Sequence, residues 1–359
     1  MHVGKSNTPC NELKVHGTMM QHVQLDTYLG DVIACDGSNH KNIEKRASRG
    51  NGLIADIMSI LESVSLGKHY FKMAVLLRET LFLNSILTNT ETWYGLTKTN
   101  IENLEMVDKI LLRNILSTGR NTPIPMLYLE LGCLRIQTII KCRRLIFLHY
   151  LIISNKDKSL NKFFMAQWNY PIKDDWTHDV KKDLNDFNIQ VDLNFIRNMT
   201  KQAFKKLVKV KARKYEINDL LKNDLSKMEN LHFDKLELAK YLELQELTVT
   251  EAKAVFQFRS RMANFKNNYR GTNPVNICPL CMNHPDTQQS AFQCSVLRKN
   301  VVINGTYSNI IDGNISKELA ITITNIMKFR ETSQMEAQTC TGQSQFFVIT
   351  QSVLVQQKY

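Results

Sequence analysis

The chain of 359 residues carries 43% hydrophobic and 22% charged residues and a formal net charge of +12. Its length allows two or three domains with cores of their own, and its apolar share excludes wholesale disorder. The basic excess points to a polyanion such as nucleic acid or to a merely solubilising surface, and only the placement of the charges can separate the two.

The first five residues, Met1-His2-Val3-Gly4-Lys5, read like the interior of a folded domain and carry no secretory signal. An intracellular, non-secreted protein is therefore expected, its cysteines reduced or, where clustered, bound to metal. Leu13-Lys14-Val15 and Tyr28 to Ala34 are strand candidates with Gly17 between them, and Asp36-Gly37 ends the second with a turn. A short β-hairpin is expected here. From residue 41 the spacing becomes helical. Ile43, Ala47, Ile54, Ile57, Leu61 and Val64 form one stripe, with Lys41, Lys45, Arg46 and Arg49 mostly off it. Gly50 and Gly52 are expected to break or kink this helix. A second helix spans Tyr70 to Leu87. A third opens on a capping box, Thr99 with Glu102, and carries Leu104, Val107, Leu111 and Ile115.

Pro123 and Pro125 place a domain boundary near residue 120. Helical spacing resumes from Leu134 to Ile153, with Ile136, Ile139, Ile140, Leu145 and Leu148 as core. The longest apolar run, Leu145 to Ile153, contains His149 and falls far short of the ~20 residues of a membrane span, so no membrane partner is expected. Further helices are expected at 159–168, 179–187, 193–222 and 229–244. Asp192 is an N-cap, and Thr248 with Glu251 a second capping box ahead of Ala252, Phe256 and Ala263. The fold class is mainly α. The tail, 335–359, is rich in Gln, Thr and Ser and is expected to be disordered.

Two segments carry chemistry. From Lys201 to Lys214 seven of fourteen residues are Lys or Arg and none is acidic. Phe204, Leu207, Val208, Ala212 and Tyr215 form an apolar stripe, which leaves Lys201, Lys205, Lys209 and Arg213 four apart on a face of their own. Such a row can follow a phosphate backbone, releasing a counterion at each contact, or can simply be a solvated face. Cys278-Pro279-Leu280-Cys281 brings two thiolates within reach of one tetrahedral ion, and His284 and Cys294 complete a four-ligand set for structural zinc. The alternative is a degenerate knuckle with free thiols. Arg259, Arg261, Lys266 and Arg270 give this knuckle a basic approach, with Phe265 and Tyr269 available to stack on bases. No catalytic residues are identified. Asp174-Asp175 reads as a helix N-terminus, and no phosphate loop, nucleophile elbow or histidine-based triad is present.

Asp26-Thr27-Tyr28-Leu29-Gly30-Asp31-Val32-Ile33, followed by Asp36-Gly37 and a basic helix, resembles the end of the palm and start of the thumb in reverse transcriptases of LINE-type, non-LTR retrotransposons. Glu91-Thr92-Trp93-Tyr94-Gly95 resembles their link between thumb helices. Leu127 to Gly132, Ala166-Gln167-Trp168 and Ser260 to Phe265 resemble their C-terminal part, so the likeness covers about residues 1–330. It implies that Tyr28 and Gly30 belong to a primer grip, where a residue without Cβ lets backbone approach a phosphate. It also implies that the metal-binding carboxylates of the polymerase lie upstream, so this fragment is no enzyme. Such elements carry a zinc knuckle with histidine four or five residues before the last cysteine. This chain has Gln289 and Ser290 there, which makes His284 the expected substitute.

The expected organisation is a palm remnant at 1–40, a thumb-like bundle at 41–120, a helical basic domain at 121–265, and a Cys/His knuckle with a C-terminal helix at 266–334. The expected nucleic-acid contacts are Tyr28, Gly30, Lys41, Lys45, Arg46, Arg49, Lys201, Lys205, Lys209, Arg213, Arg259 and Arg261. RNA or DNA is the expected partner, with no small-molecule substrate. A helical interaction protein or an expressed relic without activity is the alternative.

Overall fold

A computed structural model of the chain describes residues 14–333 and Met335, apart from 17, 20–22, 29, 64–66, 155–158, 171, 174, 223–230, 269–275. The expected tail thus lies outside the described residues, Met335 excepted. The chain is mainly helical, with short hairpins near its N-terminus.

Strands β1 (Lys14–Val15) and β2 (Thr18–Met19) pair antiparallel, as do β3 (Leu25–Tyr28) and β4 (Asp31–Ala34), in the register Tyr28↔Asp31 and Leu25↔Ala34. The strand expected from Tyr28 to Ala34 does not run through. Gly30 adopts φ +90°, a conformation only glycine enters freely, and the chain reverses there. Tyr28 is 64% exposed at the end of β3. Asp31 anchors the hairpin. Its carboxylate accepts from Asn42 (3.1 Å), Asn89 (2.8 Å) and Arg46. Burial pushes this carboxyl up, but the donors outweigh it and hold its pKa below the usual aspartate value.

Helix α1 (His40–Ser63) buries Ile43, Ile54, Ile57 and Leu61 of the expected stripe; Ala47 is half-buried and Val64 lies outside the described residues. It passes through Gly50 and Gly52 unbroken. A Cβ at Gly50 would lie 3.0 Å from Val107 and 3.2 Å from Ile86, so this glycine lets neighbouring side chains close on the helix. The expected helix Tyr70–Leu87 forms as α2 (Tyr70–Leu77), a π turn (Arg78–Phe82) and α3 (Leu83–Ile86). Helix α4 (Lys98–Leu116) buries Leu104, Val107, Leu111 and Ile115. Its cap is Thr97 rather than Thr99, since the Thr97 hydroxyl accepts from the Asn100 amide at 3.2 Å.

The π turn places Arg78 in the interior. Its guanidinium donates to Asp108 at 2.7 and 2.6 Å and to the Leu134 carbonyl at 2.9 Å, and the Tyr128 hydroxyl donates to the same carboxylate at 3.0 Å. Tyr128 lies on α5 (Ile124–Glu130), beyond the boundary expected near residue 120. That boundary does not separate the domains. The first compact unit combines the chain up to Ile115 with Leu127–Asp224 and Phe233–Leu238. The reason is visible in the ties across it. Arg144 reaches the Trp93 carbonyl (3.3 Å) and Asp183 (2.8 Å), and the Gly95 amide donates to Asp179 (3.0 Å).

Helix α6 (Ile136–Ile153) buries Ile136, Ile140, Leu145 and Leu148, with Ile139 half-buried. Around it pack α7 (Ser159–Asn169), α8 (Trp176–Asp186), α9 (Leu193–Arg197) and α10 (Lys201–Leu220), which share a core of Leu145, Trp176, Val180, Leu184, Phe204 and Val208. Asp175 caps α8 and Asp192 caps α9. The single helix expected over 193–222 is two, because the Thr200 hydroxyl accepts from the Ala203 amide (3.2 Å) and starts a new helix.

Leu131 forms an antiparallel bridge with Leu238, and Gly132 at φ +65° lies against that strand. A Cβ at Gly132 would fall 2.4 Å from the Glu237 carbonyl carbon. Gly132→Ala is expected to cost about 1–3 kcal/mol from the left-handed backbone alone, with the clash in addition. Thermal unfolding followed by circular dichroism measures this, and an unchanged midpoint would show that the loop yields freely.

The same bridge explains why no helix spans 229–244. Residues 231–239 are irregular apart from the bridge at Leu238, 223–230 lie outside the described residues, and of the described residues in this span only α11 (Lys240–Glu243) is helical. The second unit comprises Leu116–Met126, Leu225–His232 and the chain from Ala239 onward. Its helix α12 (Val249–Arg259) starts on the expected capping box of Thr248 and Glu251. It continues with α13 (Gln288–Ala291), α14 (Ser295–Asn300), α15 (Tyr307–Ile311) and α16 over 317–333. The boundary expected at 265 is absent. Phe258 packs edge-on against Phe265 (5.7 Å) and Phe292 (6.1 Å), so α12 and the knuckle share one core. No helix among the described residues is long and apolar enough to cross a membrane.

Candidate nucleic-acid face and metal centre

Helix α10 buries Phe204, Val208 and Ala212, with Leu207 and Tyr215 half-buried beside them. This fixes the opposite surface. Lys201, Lys205, Lys209 and Arg213 are all exposed, and steps of four residues space their Cα atoms by roughly 6 Å along the axis. The α-helix turns slightly more than once in four residues, so the row drifts around the cylinder. The drift brings in Lys206 and Gln202, which the spacing argument missed. A shallow groove of about 340 Å³ is lined by Gln202, Lys205, Lys206, Lys209, Val210 and Arg213. A signal for Lys206 existed in the sequence, since it stands beside Lys205 and off the apolar stripe.

The nearest acids on α10 do not neutralise this row. Glu216 accepts from the Arg135 side chain (2.7 Å), the Arg135 amide (3.0 Å) and Thr138, while Asp219 accepts from Arg135 at 2.6 Å. Among the described residues, no ion pair engages Lys201, Lys205, Lys206, Lys209 or Arg213. The positive charge therefore faces solvent.

The other expected contacts divide. On α1, Lys45 and Arg49 are exposed, and Lys41 is exposed with Glu44 at 2.9 Å. Arg46 is not available. It is buried against Asp31, Asn42 and the Ile86 carbonyl, with its guanidinium 5.1 Å from the Trp93 ring centre. Its role is to hold the β3–β4 hairpin to α1. Tyr28 and Gly30 are exposed at the tip of that hairpin.

Arg259 is also buried. It donates to the Ile310 and Ile311 carbonyls, at the C-terminal end of α15, and lies over the Tyr241 ring at 5.7 Å. A cation there satisfies the Ile311 carbonyl and shares that of Ile310 with the Gly313 amide. Arg261 is half-buried in a turn at φ +53° and engages the Tyr307 hydroxyl. Phe265 is buried under the Arg330 guanidinium at 4.2 Å, so it stacks on a cation inside the fold and not on a base. Arg270 and Tyr269 lie outside the described residues. Arg259→Gln is expected to lower stability by about 1–3 kcal/mol, by removing a buried charged donor and leaving the Ile311 carbonyl unsatisfied, while the salt dependence of any nucleic-acid binding stays unchanged. Paired unfolding and binding measurements check this; a lowered salt slope would return Arg259 to the binding face.

The cysteines converge as expected. Residues 276–286 form a tight reversal with a bridge between Ile277 and Pro285; the Cys278 amide donates to the His284 carbonyl (2.7 Å) and the Met282 amide to the Cys278 carbonyl (3.0 Å). Cys294 arrives from the other side as the residue that starts α14. The Cys278, Cys281 and Cys294 sulfurs all lie within 4.8 Å of one another. Zn–S bonds of about 2.3 Å would place tetrahedral sulfurs roughly 3.8 Å apart, so the three fit one soft ion with little contraction. Burial works against a thiolate at Cys281, but the Asn283 and His284 amides aim at its sulfur and bring its pKa below the ordinary thiol value. Burial pushes the Cys294 thiol up to about 11, despite the Val296 and Leu297 amides at the start of α14. Cys35, Cys133 and Cys142 are scattered free thiols.

His284 does not join the cluster. Its backbone is part of the reversal, with carbonyl and amide both committed to the cysteines, and its ring does not reach the three sulfurs. Asp286 is buried and accepts from Arg330 (2.8 and 3.1 Å) and from the Lys266 amide (2.8 Å). Ser290 donates its amide to Thr287 and receives the Thr287 hydroxyl (2.8 Å).

Compared with known proteins, the chain matches no family model, no curated protein and no solved structure.

Proposed function

We propose that this chain is a nucleic-acid-binding, reverse transcriptase-like protein of LINE type that grips RNA or a template–primer duplex through the α10 face. The observation that carries the reading is the exposed row Lys201, Lys205, Lys209 and Arg213, which no ion pair engages among the described residues. Each lysine or arginine on a phosphate releases a condensed counterion, so such a row converts directly into affinity. Lys41, Lys45 and Arg49, again four apart, and the hairpin tip at Tyr28 and Gly30 are also exposed and belong to the same unit. The likeness of Tyr28-Leu29-Gly30 and Glu91 to Gly95 to polymerase landmarks supports the family reading. In it the knuckle cysteines hold a structural zinc ion that orders residues with too little core of their own.

The proposed activity is binding, since nothing in this sequence matches the paired carboxylates that hold two Mg²⁺ ions in such enzymes. The test is affinity for RNA and DNA duplex as a function of salt. A steep linear fall of log affinity with log salt is expected, and undetectable binding at low salt would replace this reading with that of a helical interaction protein.

A further inference from the structure

We infer that the knuckle binds its ion with three protein ligands, Cys278, Cys281 and Cys294, and leaves the fourth coordination position to an exchangeable solvent molecule. This rests on the reading of the cluster as a zinc site and specifies how that site is closed. Zinc is almost always four-coordinate, and sites with only three protein ligands keep a water at the fourth position. Among the described residues no fourth His, Cys, Asp or Glu brings a ligand atom to the three sulfurs.

Neither of the two side chains nearest in sequence joins them. His284 faces Cys278 across the reversal through its backbone, and its ring lies outside the sulfur cluster. That backbone is held at both ends, the carbonyl by the Cys278 amide at 2.7 Å and the amide by the Cys281 sulfur. Asp286 is 1% exposed and neutralises Arg330, whose guanidinium would be left buried and unpaired if the carboxylate turned away.

The open position has a direction. Cys278 and Cys294 are buried, at 4% and 1% exposure, whereas Cys281 is half-buried and is followed by exposed Met282 and Asn283. Solvent therefore reaches the ion past Cys281. Three thiolates and one divalent ion make an anionic centre, so a neutral donor enters more readily than an anion. Imidazole is the natural probe.

The test uses the full chain in reducing buffer, loaded with Co²⁺ in place of zinc, and reads the ligand-field absorption bands. One equivalent should bind with sulfur-to-metal charge transfer, and imidazole should shift the bands saturably. His284→Ala should leave both the spectrum and the imidazole response unchanged. The double variant Cys10→Ser, Cys340→Ser should do the same, which tests the cysteines outside the described residues. Cys281→Ser should weaken metal binding by at least about tenfold. A spectrum that ignores imidazole and changes in His284→Ala overturns the inference in favour of a closed Cys₃His site. A change in the double variant overturns it in favour of a fourth cysteine. Failure of the unmutated chain to bind Co²⁺ or Zn²⁺ overturns both the inference and the zinc reading beneath it.

Discussion

Replacing Lys201, Lys205, Lys209 and Arg213 together with glutamine is expected to lower the slope of log affinity against log salt by about three to four units. Each lost phosphate contact removes about 0.9 unit on duplex DNA and about 0.7 on a single strand. Between roughly 50 and 200 mM salt, the variant should therefore lose about a hundredfold less affinity than the parent, having started weaker. Glutamine keeps a long polar side chain on a face already exposed, so the fold has no reason to suffer. Removing lysines four apart should relieve repulsion worth a few tenths of a kcal/mol in α10. Unchanged circular dichroism with a reduced slope is the expected pair of results. An unchanged slope would mean that the α10 face meets only solvent.

The second large effect concerns Arg78. Asp108→Ala should cost about 3–5 kcal/mol, because it leaves a guanidinium buried without its counter-charge. Both side chains are essentially inaccessible, at 1% and 0%. Burial opposes the charge on Arg78, but Asp108 more than compensates and raises its pKa above the ordinary arginine value. The sign follows. A cation with a raised folded-state pKa contributes stability fully present below its unfolded value, so the loss in Asp108→Ala should persist across neutral pH. For a unit of this size the midpoint should fall on the order of 10 °C. The double variant Arg78→Met, Asp108→Leu should recover part of the loss, since it removes both charges together. The recovery should be incomplete, because the Leu134 carbonyl and Tyr128 hydroxyl lose their partners. A single variant within about 1 kcal/mol of the parent would show that water reaches Arg78.

What the sequence by itself determines here is local. The caps at Asp175, Asp192 and Thr248, the apolar stripes of α1 and α4, and the convergence of Cys278 with Cys281 all depend on residues within one or two turns of each other. The exposed row on α10 belongs to the same class, because Phe204, Val208 and Ala212 must face inward and so settle where Lys201, Lys205 and Lys209 point. The tertiary structure alone decides which cations are free. Arg46 and Arg49 sit in one helix and look alike in sequence, yet only Arg46 meets Asp31, Asn42 and the Ile86 carbonyl, forty residues away in the last case. Arg259 stands apart from the α10 cations for the same reason, since the end of α15 presents the Ile310 and Ile311 carbonyls to it. The missing helix over 229–244 is likewise set by a partner that periodicity does not encode, the bridge from Leu238 to Leu131. A side chain's burial is fixed by groups brought to it from distant parts of the chain. Spacing along the sequence reports only those within reach of the same helix.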